Sequence, residues 1–261
     1  MSKMLFWSDY VQKIPLLGPI FKNHYFTLKR YYVNLLRKTS IRPGPIYVNW
    51  IATNRCNSRC VYCEASANQV KFEELTTDQI FRVVNELGEL KVKQFFVIGG
   101  EPLIRKDVFE VLDYARKQGM KVGIFTNSLL YKKFKKEIKH AGLQNIWTSI
   151  DGMEKTHNEN RGYPGAYEIT MEAMQYYASI NIPLRVINTV VHNRNFDELP
   201  ELFEQVKRSG ANWWRLGAVL PVGRAKDHQF GLSAERTLRL FQYIEKTRKL
   251  FNVTISEEMG Y

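Results

Sequence analysis

The 261-residue chain is 44% hydrophobic and 13% aromatic, a composition sufficient for one main domain with a sizeable core. It contains no apolar run long enough to cross a bilayer and no signal-peptide core at its start, so we predict a cytoplasmic protein. The net charge of +12 is concentrated in residues 1–45, where eight Lys and Arg stand against a single acid, Asp9. Such an excess indicates a tendency to associate with anions and identifies no function.

Residues 1–45 form the first predicted region, a basic amphipathic helical segment that ends at the Arg42–Pro45 break. We expect this helix to pack on the rest of the fold; docking at a membrane surface or on a partner protein is the alternative. Apolar side chains recur there at helical spacing, at Phe21, Tyr25, Leu28, Tyr32, Leu35 and Leu36.

From residue 46 onward, short runs rich in Val, Ile and Phe alternate with longer stretches of helical periodicity. This alternation is typical of βα units around a parallel sheet, so we predict an α/β fold, a partial TIM-like (β/α)6 barrel over residues 46–250. The predicted strands are Ile46–Ile51, Gln94–Ile98, Lys121–Thr126, Asn145–Ile150, Leu184–Val191 and Asn212–Ala218. The predicted helices are Thr76–Gly88, Asp107–Lys117, Leu129–Ala141, Tyr167–Ser179, Phe196–Ser209 and Ser233–Leu250.

Three cysteines follow the first predicted strand, at Cys56, Cys60 and Cys63, and the chain has no others. An odd number of closely spaced cysteines suits a metal centre better than disulfides. Thiolates favour zinc or iron–sulfur clusters, and a closed zinc site needs a fourth ligand, which neither a cysteine nor a suitably spaced histidine supplies. Three ligands on a cubane cluster would leave one iron open to bind a small molecule, so we predict an iron–sulfur cluster.

The loop CNSRCVYC resembles the CxxxCxxC loop of the radical S-adenosylmethionine (radical SAM) superfamily, including the aromatic Tyr62 before the last cysteine. The resemblance implies that Cys56, Cys60 and Cys63 hold a 4Fe-4S cluster whose open iron binds the amino and carboxylate groups of S-adenosylmethionine. It also implies that this cofactor is reductively cleaved to methionine and a 5′-deoxyadenosyl radical, which abstracts hydrogen from a substrate.

The segment Gly99-Gly100-Glu101-Pro102 follows the second predicted strand and resembles the GGEP segment of the family, whose backbone receives the amino group of the cofactor. Glycine allows that close approach. The resemblance extends to residues at later strand ends, the edge where barrel enzymes place their sites. The cofactor-binding set implied in this way is Tyr62, Gly99, Gly100, Glu101, Ser149, Asp151, Arg161 and Leu220.

Two members of this set have simpler explanations. Ser149 could cap a turn, and Arg161 could be a solvated charge in the loop HNENRGYPG. Asp151 and Glu101 are expected to position the cofactor, and no general acid or base is assigned, because that requires geometry around a substrate.

The stretch from Trp213 to Ala225 resembles the segment that closes the barrel in members with a SPASM or twitch extension, which modify peptides, sulfatases or tetrapyrroles. Such extensions carry further cysteines, whereas this chain has none after Cys63. We therefore predict a core domain, with residues 251–261 as the start of a truncated extension and Val253–Ser256 as its first strand. Two explanations stay open: the chain is a truncated form of a longer enzyme, or it works with the core cluster alone and a partner closes the barrel.

The functional prediction is a radical SAM enzyme of the oxidoreductase or maturase type that acts on a peptide or protein. The alternatives are a tetrapyrrole- or small-molecule-modifying enzyme and a non-catalytic, cluster-bearing binding partner. The resemblance also implies a low-potential electron donor, flavodoxin or ferredoxin. Nucleic acid is not an expected partner, because the lysines between residues 132 and 139 suit the solvated face of a helix and no nucleic-acid-binding motif accompanies them.

Overall fold

A computed structural model describes residues 45–69, 72–226 and 230–255. The chain divides into two compact units, Met1–Pro45 and Ile46–Tyr261. The amphipathic helix predicted within residues 1–45 lies outside the described residues, so all that follows concerns the second unit.

The second unit is an α/β fold built on one sheet of seven parallel strands in the order β1 to β7, so that every strand pairs with its neighbours in sequence. The sheet is a partial TIM-like barrel with β1 and β7 at its edges. Its strands are β1 (Tyr47–Thr53), β2 (Gln94–Gly99), β3 (Lys121–Phe125), β4 (Asn145–Ser149), β5 (Leu184–Val191), β6 (Trp213–Ala218) and β7 (Val253–Ile255). The α-helices of the described residues are α1 (Thr77–Glu89), α2 (Val108–Lys117), α3 (Lys135–His140), α4 (Glu154–Arg161), α5 (Ala166–Ser179), α6 (Leu199–Arg208) and α7 (Ala234–Thr247).

All six predicted strands are present, and the seventh is a correction to the predicted count. Val253–Ser256 was expected to begin an extension, but Val253–Ile255 pairs in parallel with β6, with Val253 beside Trp214. The helix α7 is the crossover that returns the chain to the same edge of the sheet, and Val253 is buried there. The barrel therefore contains one strand more than the sequence predicted.

The predicted helices are present where the sequence has apolar residues at helical spacing. The α1 helix begins at the predicted capping box, in which Thr76 Oγ1 accepts from Gln79 N at 3.3 Å and Gln79 Oε1 accepts from Thr76 N at 2.8 Å. The predicted helix Leu129–Ala141 is shorter than expected, because residues 129–134 form successive turns and only Lys135–His140 is α-helical.

The helix α4 was missed by the sequence analysis. Its sequence, EKTHNENR, has no apolar residue, so hydrophobic periodicity cannot reveal it. Arg161 is its last residue, followed by Gly162 in the left-handed conformation with φ of +58°. The simpler alternative for Arg161, a solvated loop charge, is therefore wrong, since its side chain is only 12% exposed.

The two faces of the sheet differ in character. One face, which we call the helix-covered face, carries the main hydrophobic core, including Val97, Ile124, Ile146 and Trp214. Successive side chains of a strand point to opposite faces, so the alternate residues line the interior of the barrel. We call this second surface the inner face; it includes Phe96, Phe125, Trp147, Ser149, Asn188 and Arg215.

Candidate cofactor site

The cysteine loop connects β1 to α1 and is anchored at its start by one amide side chain. Asn68 Oδ1 accepts from the backbone N–H of Cys56 at 2.8 Å, and Asn68 Nδ2 donates to the carbonyl of Cys56 at 3.0 Å. The backbone N–H of Asn68 in turn donates to the carbonyl of Asn54 at 2.8 Å. These bonds close the loop on itself, because its last residues are held against its first.

The centre of the loop is bound to the end of α4. Arg59 N donates to the carbonyl of Arg161 at 3.1 Å, and Val61 N donates to the carbonyl of Asn160 at 2.9 Å. The hydroxyl of Ser58 also donates to the Arg161 carbonyl, at 2.6 Å. The last carbonyls of α4 have no intrahelical partner, so the cysteine loop satisfies them and is positioned by them.

Arg224, which follows β6, holds the loop from the other side. Its Nε donates to the carbonyl of Cys60 at 2.7 Å and its Nη1 donates to the carbonyl of Ala67 at 3.0 Å. Gly223 has φ of +57°, and a Cβ there would lie 2.3 Å from the carbonyl oxygen of Cys63. The Gly223-Arg224-Ala225 motif therefore fastens the cysteine loop across the barrel, a role that the sequence analysis did not assign.

The sulfurs of all three cysteines accept hydrogen bonds, and two of them, Cys56 and Cys60, have more than one donor nearby. Cys56 Sγ accepts from Ser58 N at 3.4 Å and from Asn127 Nδ2 at 3.8 Å. Cys60 Sγ accepts from Arg161 Nη1 at 3.5 Å and lies 3.2 Å from the Ser58 hydroxyl. Donors around the sulfur ligands tune the potential of an iron–sulfur cluster, so this arrangement fits one.

The donor set of the loop also fits a cluster better than a single ion. Among the described residues, no three His, Cys, Asp or Glu side chains converge closely enough to hold one metal ion. The three cysteines are free thiols on one loop, and Cys63 Sγ accepts from Ala67 N at 3.5 Å. Burial raises the pKa of the Cys56 thiol to about 11, and the positive charge of a bound metal would favour its thiolate form.

The Gly99-Gly100 segment passes directly against the start of the cysteine loop. Gly99 has φ of +146°, and a Cβ on it would lie 2.4 Å from the carbonyl oxygen of Thr53. A Cβ on Gly100 would lie 2.3 Å from the carbonyl oxygen of Arg55. Only glycine fits at both positions, and the backbone of Gly100 and Glu101 donates to Thr53 and Arg55, each at 2.8 Å.

The carboxylate of Glu101 is fully buried and joins the ends of β2 and β3. It accepts from the Leu103 N–H at 3.0 Å, the Thr126 hydroxyl at 2.8 Å and the Asn127 N–H at 2.7 Å. Burial raises its pKa to about 7, although these three hydrogen bonds act in the opposite direction. Through Asn127, which also donates to Cys56 Sγ, Glu101 positions a side chain beside the cysteine loop.

Asp151 and Arg161 form a buried ion pair beside Cys60. Asp151 is fully buried and also accepts from the Val190 N–H at 2.7 Å. Burial opposes ionisation of this carboxyl, but Arg161 outweighs it and holds the pKa of Asp151 below its usual range. The guanidinium lies 5.9 Å from the ring centroid of Tyr62, so three of the predicted residues meet here.

The backbone around Asp151 is fixed by a buried amide and imidazole network. Its N–H donates to His157 Nδ1 at 2.9 Å, and its carbonyl accepts from Asn160 Nδ2 at 3.0 Å and from Asn195 Nδ2 at 3.1 Å. Burial lowers the pKa of His157 to about 3 and that of His192 to about 4, so both imidazoles are neutral. The sequence analysis missed these residues, because isolated Asn and His in helices and loops give no motif.

Ser149 and Leu220 lie further along the carboxyl edge of the sheet. Ser149 is the last residue of β4, on the inner face and in register with Asn188 of β5. Leu220 follows β6 and is half-buried. Among the described contacts, no hydrogen bond joins either side chain to the cysteine loop, so the structure gathers six of the eight predicted cofactor residues around the loop and leaves these two apart.

The sequence profile of the Radical SAM superfamily matches residues 50–206, a stretch that includes the cysteine loop, the Gly99-Gly100 segment and the Asp151–Arg161 pair. The chain belongs to the radical SAM superfamily. The cofactors of this family are a 4Fe-4S cluster and S-adenosylmethionine.

Several proteins resemble this radical SAM chain in sequence. The AdoMet-dependent heme synthase of Methanosarcina barkeri is 35% identical over 79% of this chain and 60% of its own length. The Fe-coproporphyrin III synthase of the same organism is 30% identical, with 79% and 52% covered. The sporulation killing factor maturation protein SkfB of Bacillus subtilis is 33% identical, with 70% and 45% covered. The chain therefore spans about half the length of the curated relatives it matches.

Solved structures support the fold. Streptococcus suis SuiB bound to its precursor peptide SuiA matches with a TM-score of 0.71 and 18% identity, covering 89% of this chain and 54% of that one. The protein anSMEcpe with bound AdoMet matches with a TM-score of 0.66 and 19% identity, covering 81% and 64%. At these identities the likeness establishes the radical SAM barrel and nothing about the substrate.

Radical SAM enzymes need a reductant, in agreement with the predicted electron donor, whose identity stays a prediction. No helix within the described ranges is long and apolar enough to cross a membrane.

Proposed function

We propose that this chain binds a 4Fe-4S cluster through Cys56, Cys60 and Cys63 and modifies a tetrapyrrole by radical chemistry. When bound, the cluster supplies the electron that cleaves S-adenosylmethionine to methionine and a 5′-deoxyadenosyl radical, which abstracts hydrogen from the substrate. The observation that carries the chemistry is the cysteine loop, whose sulfurs accept hydrogen bonds on a rigidly anchored backbone.

The residues around the loop have distinct proposed roles toward S-adenosylmethionine. Gly99 and Gly100 are proposed to bring the segment that binds the cofactor against the start of the cysteine loop, since a side chain at either position would collide with the main chain. Arg161 presents a cation that Asp151 holds in place, a suitable partner for the cofactor carboxylate. Glu101 acts by positioning Asn127 rather than by direct contact, because three protein donors already occupy its carboxylate.

The remaining predicted residues would line the cofactor at the carboxyl edge. Tyr62 is buried against the rings of His192 and Phe230, with centroids 5.5 Å and 6.3 Å away. It thereby packs the cysteine loop against these two rings. Ser149 on the inner face and Leu220 after β6 are proposed to contact the cofactor on the side away from Arg161.

The substrate class follows from the relatives. Two of the similar proteins are named for synthesis of heme and of Fe-coproporphyrin III, at 35% and 30% identity over 79% of this chain. These comparisons favour the tetrapyrrole alternative of the sequence analysis over its first prediction, a peptide or protein. The likeness to SkfB, at 33% identity over 70% of the chain, keeps peptide maturation as the second candidate.

The partner proposals remain those of the sequence analysis. A flavodoxin or ferredoxin would deliver the electron, and the cytoplasm, where such donors occur, is the proposed location. The proposed domain divisions are residues 1–45, 46–250 and 251–261, except that Val253–Ile255 belongs to the barrel sheet as β7. For residues 1–45, peripheral membrane contact is the alternative to packing on the fold.

The test begins with anaerobic reconstitution of the chain with iron and sulfide, followed by dithionite, S-adenosylmethionine and chromatography for 5′-deoxyadenosine. We expect product from the unaltered chain and none from Cys60→Ala, with Ser179→Ala, an exposed change on α5, as the matched control. Iron coproporphyrin III should raise the yield and be altered in mass. A cluster without any 5′-deoxyadenosine would favour the non-catalytic binding partner, and product without a change in the porphyrin would favour a peptide substrate.

A further inference from the structure

The inner face of the barrel carries a row of polar side chains on three neighbouring strands. Ser149 of β4 is in register with Asn188 of β5, which is in register with Arg215 of β6. Residues in one row of a parallel sheet point to the same side, and the opposite side at these positions is the helix-covered face. Arg215 is half-buried, so the row brings a cation into the barrel two strands from Ser149.

An aromatic layer lies one row below. Trp147 precedes Ser149 by two residues on β4 and stacks on Phe125 of β3, with ring centroids 4.7 Å apart and planes inclined by 13°. Phe96 of β2 meets the edge of Phe125 at 5.8 Å. The guanidinium carbon of Arg215 lies 5.8 Å from the centroid of Trp147, so the cation and the aromatic layer form one continuous surface.

A buried donor in this surface, the indole of Trp147, points to a ligand. The indole Nε1 of Trp147 is buried and has no hydrogen-bond partner within the described part of the chain. A buried donor without an acceptor costs about 1–3 kcal/mol, so native structures rarely leave one unexplained. Among the contacts of Arg215 is a bond from Nη1 to Asn188 Oδ1, at 3.4 Å, which joins the cation to the middle of the polar row.

We propose that Arg215 and Trp147 form a binding site on the inner face for a carboxylate of a flat, conjugated substrate. The guanidinium is a planar fork that matches both oxygens of a carboxylate, and the Phe125–Trp147 stack offers a flat apolar surface for the ring that carries it. Arg215 is thus a specificity-determining residue rather than one that touches the reacting bond.

This inference rests on the proposed function, because it names how a tetrapyrrole would be recognised. The row places the carboxylate beside Asn188 and Ser149, and Ser149 is the proposed cofactor contact. A substrate anchored at Arg215 would then present its neighbouring carbon atoms towards the cofactor edge of the barrel. Positioning of this kind is how enzymes convert remote binding into reactivity.

The experiment measures binding of coproporphyrin III, which carries propionate groups, and of its neutral tetramethyl ester, each solubilised in the same detergent. Binding to the reconstituted full chain is followed by the shift of porphyrin absorbance, and the affinity for S-adenosylmethionine is measured by equilibrium dialysis. The variants are Arg215→Gln, Arg215→Lys and Trp147→Phe. Arg82→Gln is the matched control, since Arg82 is an exposed arginine on α1.

We expect Arg215→Gln to weaken coproporphyrin III binding at least tenfold and to leave S-adenosylmethionine binding unchanged. Arg215→Lys should recover part of the loss, because it keeps the charge without the fork. Trp147→Phe should weaken binding by a few-fold, because it removes one donor and keeps the stack. In the unaltered chain the tetramethyl ester should bind at least tenfold more weakly than the acid, which provides a test that needs no variant.

Equal binding of acid and ester, or unchanged binding by Arg215→Gln, would overturn the carboxylate site and leave the tetrapyrrole proposal standing. Loss of S-adenosylmethionine affinity in Arg215→Gln would also overturn it, because Arg215 would then serve the cofactor. If the unaltered chain does not bind coproporphyrin III, both the site and the tetrapyrrole class fail, and formation of 5′-deoxyadenosine still tests the radical chemistry separately.

Discussion

Asp151 and Glu101 are two fully buried carboxyl groups at the carboxyl edge of the same sheet, on either side of the cysteine loop. The pKa of Asp151 lies below its usual range, whereas the pKa of Glu101 is raised to about 7. Both lose hydration on burial and both accept hydrogen bonds from the backbone. The difference is Arg161, which supplies a full positive charge to Asp151, while Glu101 has only neutral donors.

The comparison shows what each side of the site is built to hold. Neutral donors offset only part of the cost of burying a charge, and a counter-ion offsets most of it. The Asp151 side is therefore a fixed, charged support for Cys60, since Arg161 also donates to its sulfur. The Glu101 side is a hydrogen-bonded support for Asn127 and Cys56, with a carboxyl that titrates near neutral pH.

Breaking the ion pair is the largest expected effect. Arg161→Met should lower the free energy of unfolding by about 3–5 kcal/mol at pH 7, because it leaves Asp151 charged, buried and unpaired. The backbone bonds from the loop to the Arg161 carbonyl would remain, so the loss reports the charge. Urea unfolding measures it, with Arg82→Met on the surface of α1 as the control.

The double variant Arg161→Met/Asp151→Asn distinguishes a true pair from two independent losses. It should recover part of the stability lost in the single variant, since neither charge is then left buried alone. The single variant Asp151→Asn completes the comparison. If the losses of stability in the two single variants simply add in the double variant, the contrast between Asp151 and Glu101 has another cause.

Removing the charge of Glu101 should have a smaller effect. Glu101→Gln keeps the shape but replaces one acceptor by a donor, so we expect a loss of about 1–3 kcal/mol at low pH. The folded pKa is raised from 4.5 to about 7, so the stability that Glu101 contributes is present at low pH and is lost as the pH rises through that interval.

The pH dependence gives the decisive measurement for Glu101. Unfolding free energies of the unaltered chain and of Glu101→Gln, followed from pH 4.5 to pH 7, should converge as the pH rises. A constant difference across this range would contradict the raised pKa and would show that Glu101 is as well compensated as Asp151.

The smallest expected effect concerns His157, which adjoins the ion pair. Burial lowers its folded pKa from 6.5 to about 3, so its contribution to stability is present above pH 6.5 and is lost as the pH falls. When the pH falls by one unit from 6.5, the unaltered chain should lose about 1 kcal/mol more unfolding free energy than His157→Gln. The variant has no imidazole at this position that could be protonated in the unfolded state. The control is His140→Gln, since His140 is exposed. An equal change in both variants would show that the effect does not come from the burial of His157.

The strands and the cysteine loop were the most predictable parts of the molecule. Runs such as Phe95–Ile98 are apolar because they are buried in a parallel sheet, and this makes them visible in one sequence. The motif CNSRCVYC was equally visible, because cluster ligation requires fixed residue types at short spacing on one loop. The cofactor set carried by the resemblance named both carboxyl groups and Arg161.

The prediction failed where structure does not depend on an apolar pattern. The helix α4 is stabilised by its contacts with the cysteine loop and with Asp151, so its polar sequence resembles a loop. The turns at residues 129–134 take the place of the first part of a predicted helix. The short strand β7 was assigned to an extension, because its three residues give no signal of the strand with which they pair.

The sequence by itself determined the class of chemistry and the order of the strands. The chemistry depends on a local pattern of cysteine and glycine, and the strands depend on local runs of apolar residues. Only the tertiary structure decided which charges meet. Asp151 lies 10 residues before Arg161, Arg224 lies 164 residues after Cys60, and Arg215 reaches Asn188 and Trp147 only across the sheet. Such contacts depend on strand register and helix termini, which bring together side chains that have no fixed spacing along the chain.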